Sequence, residues 1–362
     1  MRHLVETRIN LNAARHNLNF IKNRVGENKP IMAMIKADAY GHGAVEMARF
    51  YKRCGLNDFG VAQIREAIEL REAGIEGRIM VLQPCFYGQY EDYLKWHLEA
   101  VVSNREDLDV LRNQVPFHVM VDTGMGREGL LPKDVPPFIE HLPAADKMVG
   151  IATHFAQSDE SDPQYTLRQI ACFEEVLQSL PAERRQKLTI HAANSGAIVN
   201  FKQAHYHMVR PGILLYGLYD GYGQVTQEAV MSVHAKLVVR KKVGAGYFVG
   251  YGSTYKTERP STLGVLSLGY ADGFLRANSN CTRVWLGDES FDIVGRVSMD
   301  QVVINLEQKD LPLGTEFLVY GGNRDRSSSL FEEARQSHTI TYERACQLGS
   351  MRIPRIYLNE DL

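Results

Sequence analysis

The sequence predicts an α/β protein, an N-terminal (β/α)8 barrel of the TIM type followed by a mostly β domain, and three observations carry that prediction. Eight short apolar stretches, each leading toward a helical pattern, occupy residues 31–36, 59–62, 78–82, 98–103, 117–122, 147–154, 188–193 and 207–212. Beyond about residue 227 the apolar positions change to period two, as in Val233, Ala235, Leu237 and Val239 alternating with His234, Lys236 and Val238. No GxGxxG fingerprint follows the first strand, which disfavours an open dinucleotide-binding sheet.

Taken in order, residues 8–11 read as a short strand and residues 12–25 as an amphipathic helix carrying Leu18, Ile21, Lys22 and Val25. The first barrel strand, 31–36, is an apolar run ending on Lys36, with Gly41 and Gly43 marking the turn into the next helix. Helical patterns at 63–73, 105–112 and 164–180 separate later strands. In the second half, 265–268, 284–286, 302–306 and 317–320 read as strands with Gly or Pro between them. The expected domains are 1–227 and 228–362, with the opening strand free to pair with the second.

At 362 residues, 44% hydrophobic and 23% charged, the chain is expected to bury a sizeable core in about two or three domains. A formal net charge of -2 gives no electrostatic footprint for nucleic acid or an anionic membrane, so small molecules and other subunits are the expected partners. Arg2, Glu6 and Arg8 with no apolar run behind them argue against a signal peptide, and no stretch has the length of a membrane span, so a cytoplasmic protein is expected. The five cysteines are scattered without metal-ligand spacing, and no metal is expected.

Reacting groups of such a barrel gather at the carboxyl ends of its strands. There the sequence places Lys36, the run from Asp122 to Arg127, His154, the run from His191 to Ser195, and Arg210 to Ile213. A lysine held in apolar surroundings loses solvation and becomes a base or a Schiff-base nucleophile, although this stretch alone leaves open a lysine that merely reaches solvent from a strand end. One lysine, two arginines, free backbone N–H groups and the hydroxyls of Ser195 and Tyr40 suit an aldehyde cofactor bearing a phosphate and a phenolate oxygen, which describes pyridoxal phosphate.

These residues carry a resemblance. Met34 to Gly43, Val121 to Arg127, Thr153-His154-Phe155, His191 to Ser195, Val209 to Gly212, Tyr251-Gly252, Gly269 to Gly273, Val294 to Gln301 and Tyr342-Glu343 together resemble the alanine racemases, fold-type III pyridoxal phosphate enzymes, over essentially the whole length. The resemblance implies interconversion of L- and D-alanine, serving peptidoglycan or D-alanine catabolism, by a head-to-tail homodimer with shared active sites. Lys36 would carry the cofactor and act on one face of the substrate, and Tyr251 from the other subunit on the opposite face. Arg210 would face the pyridine nitrogen with His154 behind it, and Arg127 would bind the phenolate oxygen and the substrate carboxylate. Tyr40, Ser195, Gly212, Ile213 and Tyr342 map onto the phosphate site, with Asn194 beside them. Met299 maps onto a backbone donor to the substrate carboxylate, and Tyr251 with Tyr342 onto the constriction that admits little beyond a methyl group. Asp159, Tyr270, Arg276, Arg296 and Ile340 correspond to the outer access corridor.

One position departs from the family. Many members carry a carbamylated lysine where this chain has Met120, whose thioether accepts no strong hydrogen bond, so a chloride or a neighbouring Asn or Asp is expected beside Arg127. Two other classes of protein compete for these motifs. A non-catalytic pyridoxal phosphate carrier lacks the second domain. A basic amino acid decarboxylase shares both domains but not these motifs as a set, and gains from a carboxylate where this chain has Arg210.

Overall fold

The computed structural model describes residues 3–143, 145–322, 326–349 and 352–359, so the outermost ends of the expected domains lie outside the described residues. The chain opens with β1 (Val5–Asn10), and helix Leu11–Val25 follows without a turn. The Asn10 side chain accepts hydrogen bonds from the N–H groups of Asn12 and Ala13, which caps the helix and makes Leu11 a helical residue, not the last of the strand.

Seven parallel strands then form in sequence order: β2 (Met32–Met34), β3 (Asp58–Val61), β4 (Arg78–Val81), β5 (Glu99–Val102), β6 (Phe117–Val121), β7 (Met148–Thr153) and β8 (Thr189–His191). Their near-continuous apolar composition follows from burial on both faces, one against the barrel interior and one against helices. The eighth stretch, expected at 207–212, is not a regular strand. It closes the barrel through the bridges His191↔Met208 and Ile31↔Val209. The N–H groups of Met32 and Met34 donate to the carbonyls of Val209 and Pro211, at 2.9 and 3.0 Å. Pro211 has no N–H to return, which interrupts the ladder where the chain must turn into the cavity.

The second domain is organised on β9 (Met231–Val243), whose inward positions alternate up to Leu237 and whose far end is solvated. A short hairpin, β10 (Phe248–Val249) and β11 (Tyr255–Lys256), precedes β12 (Ser261–Leu266), β13 (Arg283–Leu286), β14 (Glu289–Asp292), β15 (Val302–Asn305), β16 (Glu316–Tyr320) and β17 (Arg355–Leu358). One path of this sheet runs β14-β13-β16-β9-β1-β17, so β1 lies between β9, antiparallel, and β17, parallel. The period-two pattern gave no sign of two helices in this half, Leu330–Gln336 and Thr341–Leu348. The first is announced by Ser329, whose side chain caps the N–H of Glu332.

A single apolar cluster runs through both halves, from Ile9 and the barrel strands to Phe317 and Ile353. β17 touches the barrel at the end of the turn that follows Lys36. Arg355 Nε donates to the Gly41 carbonyl at 3.0 Å and the Tyr357 hydroxyl to the His42 carbonyl at 2.9 Å. No helix among the described residues is long and apolar enough to cross a membrane.

Candidate active site

Lys36 leaves the end of β2 into one left-handed turn. Ala37, Asp38, Ala39 and Tyr40 all have φ between 50 and 54°, a conformation that costs an L-residue roughly 1–2 kcal/mol each. Contacts from three elements hold it. The Ala37 N–H donates to Glu66 Oε1 at 2.6 Å, the Ala44 N–H to Asp38 Oδ1 at 2.7 Å, and Arg355 pairs with the other Asp38 oxygen. The turn swings Lys36 into the mouth of the barrel. Burial, and after it the Arg127 guanidinium, holds the Lys36 amine below its ordinary pKa, which favours the uncharged, proton-accepting form.

That mouth is a cavity of about 600 Å³ lined by Lys36, Tyr40, Arg127, His154, Asn194, Ser195, Arg210, Gly212, Ile213 and Tyr342, together with Asp159. All the residues expected to hold a cofactor therefore share one wall system. Arg210 is 3% exposed and has no carboxylate at ion-pair distance among the described residues. Its Nη2 donates to the carbonyls of Thr153 and Ala192, at 2.8 and 3.1 Å. Burial draws its pKa down to about 10, which leaves it a cation at neutral pH. The imidazole behind it is that of His191, whose Nδ1 lies 2.6 Å from Arg210 Nη1. The resemblance assigns that place to His154. In the structure His154 is a cavity-wall residue, neutral because burial and then Arg210, Arg127 and Lys36 push its pKa down to about 3.

At the other end of the cavity, Ser195 Oγ accepts the N–H groups of Gly212 and Leu214, at 3.1 and 3.3 Å. Asn194 caps the helix Ser195–Asn200 by accepting the Ala197 N–H at 3.1 Å, and also accepts the Ser158 hydroxyl at 2.6 Å. The backbone comes so close to Tyr40 at Gly212 that a Cβ there would stand 2.4 Å from the Tyr40 hydroxyl. Tyr40 packs against Tyr216 and Tyr342, with ring centroids 5.1 and 6.1 Å apart. Hydroxyls, backbone N–H groups and a glycine held open beneath Tyr40 form an anion cup, with the desolvated lysine and the buried arginine in the same cavity. That donor set fits a phosphorylated aldehyde cofactor.

No Asn or Asp, the side-chain acceptors expected beside Arg127, is in hydrogen-bond contact with it among the described residues. Among the described residues no hydrogen bond or ion pair engages the Arg127 guanidinium, and Leu82, Met120 and Met125 contribute to the cavity wall. Asn194 and Asp159 line the cavity without bonding it.

Tyr251, Tyr270, Arg276, Arg296, Met299 and Ile340 do not line the cavity. Tyr251 is 71% exposed, in a turn where a Cβ on Gly252 would meet Arg296 Nη1 at 2.7 Å. Met299 and Tyr270 adjoin each other through the Ala271 N–H, which donates to the Met299 carbonyl at 3.0 Å, and both are solvent-exposed. The structure thus divides the expected site residues between those that line the cavity and others at exposed positions of the second domain. Sequence reasoning did not find Glu66 and Arg355, which hold the lysine turn, or His118 and Glu99, which stand behind His191.

A cavity at the strand ends of a barrel, lined by a desolvated lysine and a buried arginine and joined to a β domain, has the architecture of a barrel enzyme. Two family models match the chain, the alanine racemase N-terminal domain over residues 9–220 and the alanine racemase C-terminal domain over residues 230–357. The alanine racemase of Halothermothrix orenii is 37% identical over 97% of this chain and 96% of its own. The crystal structure of the Bacillus anthracis alanine racemase with bound L-Ala-P superposes with a TM-score of 0.92 at 30% identity, covering 100% of this chain and 97% of that one. That of Bartonella henselae, with covalently bound pyridoxal phosphate, gives 0.89 at 28% identity over 99% and 100% of the two chains. The chain belongs to the alanine racemase family of enzymes.

Proposed function

We propose that this protein interconverts L- and D-alanine with pyridoxal phosphate in the barrel cavity, and that two bases, one from each subunit of a homodimer, work on opposite faces of the substrate. The observation that carries the reading is the meeting, in one cavity, of Lys36, with its amine held below its ordinary pKa by burial, and Arg210, a buried cation with no carboxylate at ion-pair distance among the described residues.

Pyridoxal phosphate, when bound, supplies a conjugated ring that acidifies the α C–H of an amino acid. Lys36 Nζ takes or returns the α proton on one face, the neutral amine being the form its burial favours. Arg210 opposes a proton on the ring nitrogen it would face, because a guanidinium has no lone pair to share and stays charged. Tyr40, Ser195, Gly212 and Ile213 would hold the phosphate, and Arg127 the substrate carboxylate. A second base is needed because one fixed base returns the proton to the face it came from. The partner subunit's Tyr251 would supply it, a reading supported by the exposure of Tyr251 and its absence from its own chain's cavity. The partner's Tyr251 and Tyr342 would restrict the side chain to about a methyl group, and the exposed Met299 would offer its N–H to a carboxylate in the partner's site. Tyr270, Arg276, Arg296 and Ile340 would form the access corridor with Asp159. Such an enzyme would serve peptidoglycan synthesis or D-alanine catabolism in the cytoplasm.

The test is chiral chromatography after incubation of the purified protein and pyridoxal phosphate with a panel of single-enantiomer amino acids. Equal L and D pools from either alanine enantiomer are expected, with no racemisation in Lys36→Ala. Alanine left in its starting configuration, or converted by Lys36→Ala at the original rate, would overturn the reading.

A further inference from the structure

Behind Arg210 a file of polar groups runs through the barrel interior to its opposite end. Arg210 Nη1 lies 2.6 Å from His191 Nδ1, His191 Nε2 2.9 Å from His118 Nδ1, and His118 Nε2 2.9 Å from Glu99 Oε2. Arg210, His191 and His118 are 3, 0 and 1% exposed. Glu99 opens β5, and its second oxygen lies 3.5 Å from Arg78 Nε at the start of β4. Arg78 in turn lies 3.5 Å from Asp58 at the start of β3. The file thus begins at the cavity and ends at the N-terminal rim of the barrel.

The two ends set its direction. A guanidinium only donates and a carboxylate only accepts. Arg210 must donate to His191 Nδ1, so His191 carries its proton on Nε2 and donates to His118 Nδ1. His118 then carries its proton on Nε2 and donates to Glu99. Both imidazoles are neutral in this arrangement, and reversing either one sets N–H against N–H or lone pair against lone pair. Adding a proton to either histidine breaks a bond in the same way. Arg210 keeps only Nε–H and one Nη1–H for the cavity, since Thr153 and Ala192 take the Nη2 donors.

We propose that Glu99 is a positioning residue for Arg210: acting through His118 and His191, it fixes the tautomer of both imidazoles and thereby the orientation in which the buried guanidinium presents its remaining donors to the cavity. Glu99 is also the carboxylate to which that cation is joined, at a distance that keeps the charge of Glu99 itself out of the cavity. The catalytic part of this proposal rests on the reading that Arg210 faces the cofactor, whereas the tautomer part does not.

Nitrogen-15 NMR of the histidine-labelled holoenzyme reads the tautomers directly, with assignment by His118→Gln and His191→Gln. The wild type is expected to show both imidazoles protonated on Nε2 and not on Nδ1. In Glu99→Leu the His118 signal is expected to lose this fixed pattern, and in Glu99→Gln, whose carbonyl oxygen still accepts, to keep it. By analogy with the loss of outer-sphere partners elsewhere, kcat in Glu99→Leu should fall about tenfold with KM for alanine changed less than about twofold, and Gln should restore most of it. A proton on Nδ1 of either histidine in the wild type would overturn the proposal without any variant having to fold. Unchanged histidine signals in Glu99→Leu, or changed signals with kcat intact, would overturn it as well. Correct tautomers in a protein that racemises nothing would instead count against the racemase reading alone.

Discussion

His42 is fully buried with its ring 4.5 Å from that of Tyr216, its Nδ1 lies 3.0 Å from the carbonyls of both Ala39 and Tyr40, and burial pushes its pKa down to about 4. Below pH 6.5 the unfolded chain takes up a proton on this residue that the native state refuses, so stability falls as pH falls, until the native pKa is reached. Between pH 7 and pH 5 His42 alone should remove about 2 kcal/mol, and His154, shifted in the same direction, adds to the loss. Urea unfolding at the two pH values checks this. In His42→Gln the difference between them should shrink by about that 2 kcal/mol, and an unchanged difference would refute the assignment. Met120 gives a second expectation at this scale. With a thioether in the cavity wall and no side chain among the described residues engaging Arg127, activity should be the same in carbon-dioxide-depleted buffer as with bicarbonate added, while KM for alanine should respond to halide. Recovery of activity on adding bicarbonate would show a carbamate on some other lysine. Lys36, Arg127 and Arg210 were legible in the sequence because a charge at the end of an apolar strand is costly to bury and is kept there mainly for chemistry. His118 was not: one histidine within Phe117–Val121 reads as a satisfied core residue, and only the closed barrel brings it to His191.

The left-handed turn after Lys36 is the element on which the site depends, and its strain can be measured. Ala37 is exposed with a φ of 50°, so Ala37→Gly should remove most of the steric penalty and raise stability by about 1 kcal/mol despite the greater freedom of glycine when unfolded. Differential scanning calorimetry or urea titration would show it, and a destabilised variant would mean that the turn is not strained at Ala37. Removing the clamp should do the opposite. In Arg355→Ala the Asp38 and Gly41 contacts are lost, and turnover should fall about tenfold or more as Lys36 is misplaced, with far-ultraviolet circular dichroism unchanged. Full activity would show that Glu66 and Asp38 suffice. The apolar run before Lys36 and the glycines after it marked this loop in the sequence, but its handedness did not show, because of Ala, Asp, Ala and Tyr only Asp is enriched at positive φ.

At the scale of the whole molecule, the expected site residues fall into two sets that one chain does not bring together. Lys36→Ala and Tyr251→Phe proteins, each inactive alone, should therefore regain part of the wild-type rate when mixed, since some hybrid dimers pair an intact barrel cavity with an intact second-domain face. Activity should also fall on dilution faster than in proportion to protein. A lack of rescue after subunit exchange has been verified by mass spectrometry would place both bases in one chain. The alternation of strands and helices made the barrel legible, and the change to period two made the second domain so. The closure of the barrel by isolated bridges was hidden because Pro211 and the turn into Ile213 obey local geometry that an apolar run does not reveal.

The pairing of β1 with both β9 and β17 bears on how the protein is made. β1 leaves the ribosome before any barrel strand, yet its neighbours in the sheet are synthesised only after the barrel, β17 (Arg355–Leu358) being the later of the two. The edges of this strand must therefore wait, unpaired, until β9 and β17 are made, which is the kind of long-range contact that slows folding and exposes a nascent chain to aggregation. Because β17 also fastens the turn behind Lys36, a product truncated or stalled before β17 would carry the barrel strands with that turn unfastened, and Lys36 would be held in place only after β17 has been made.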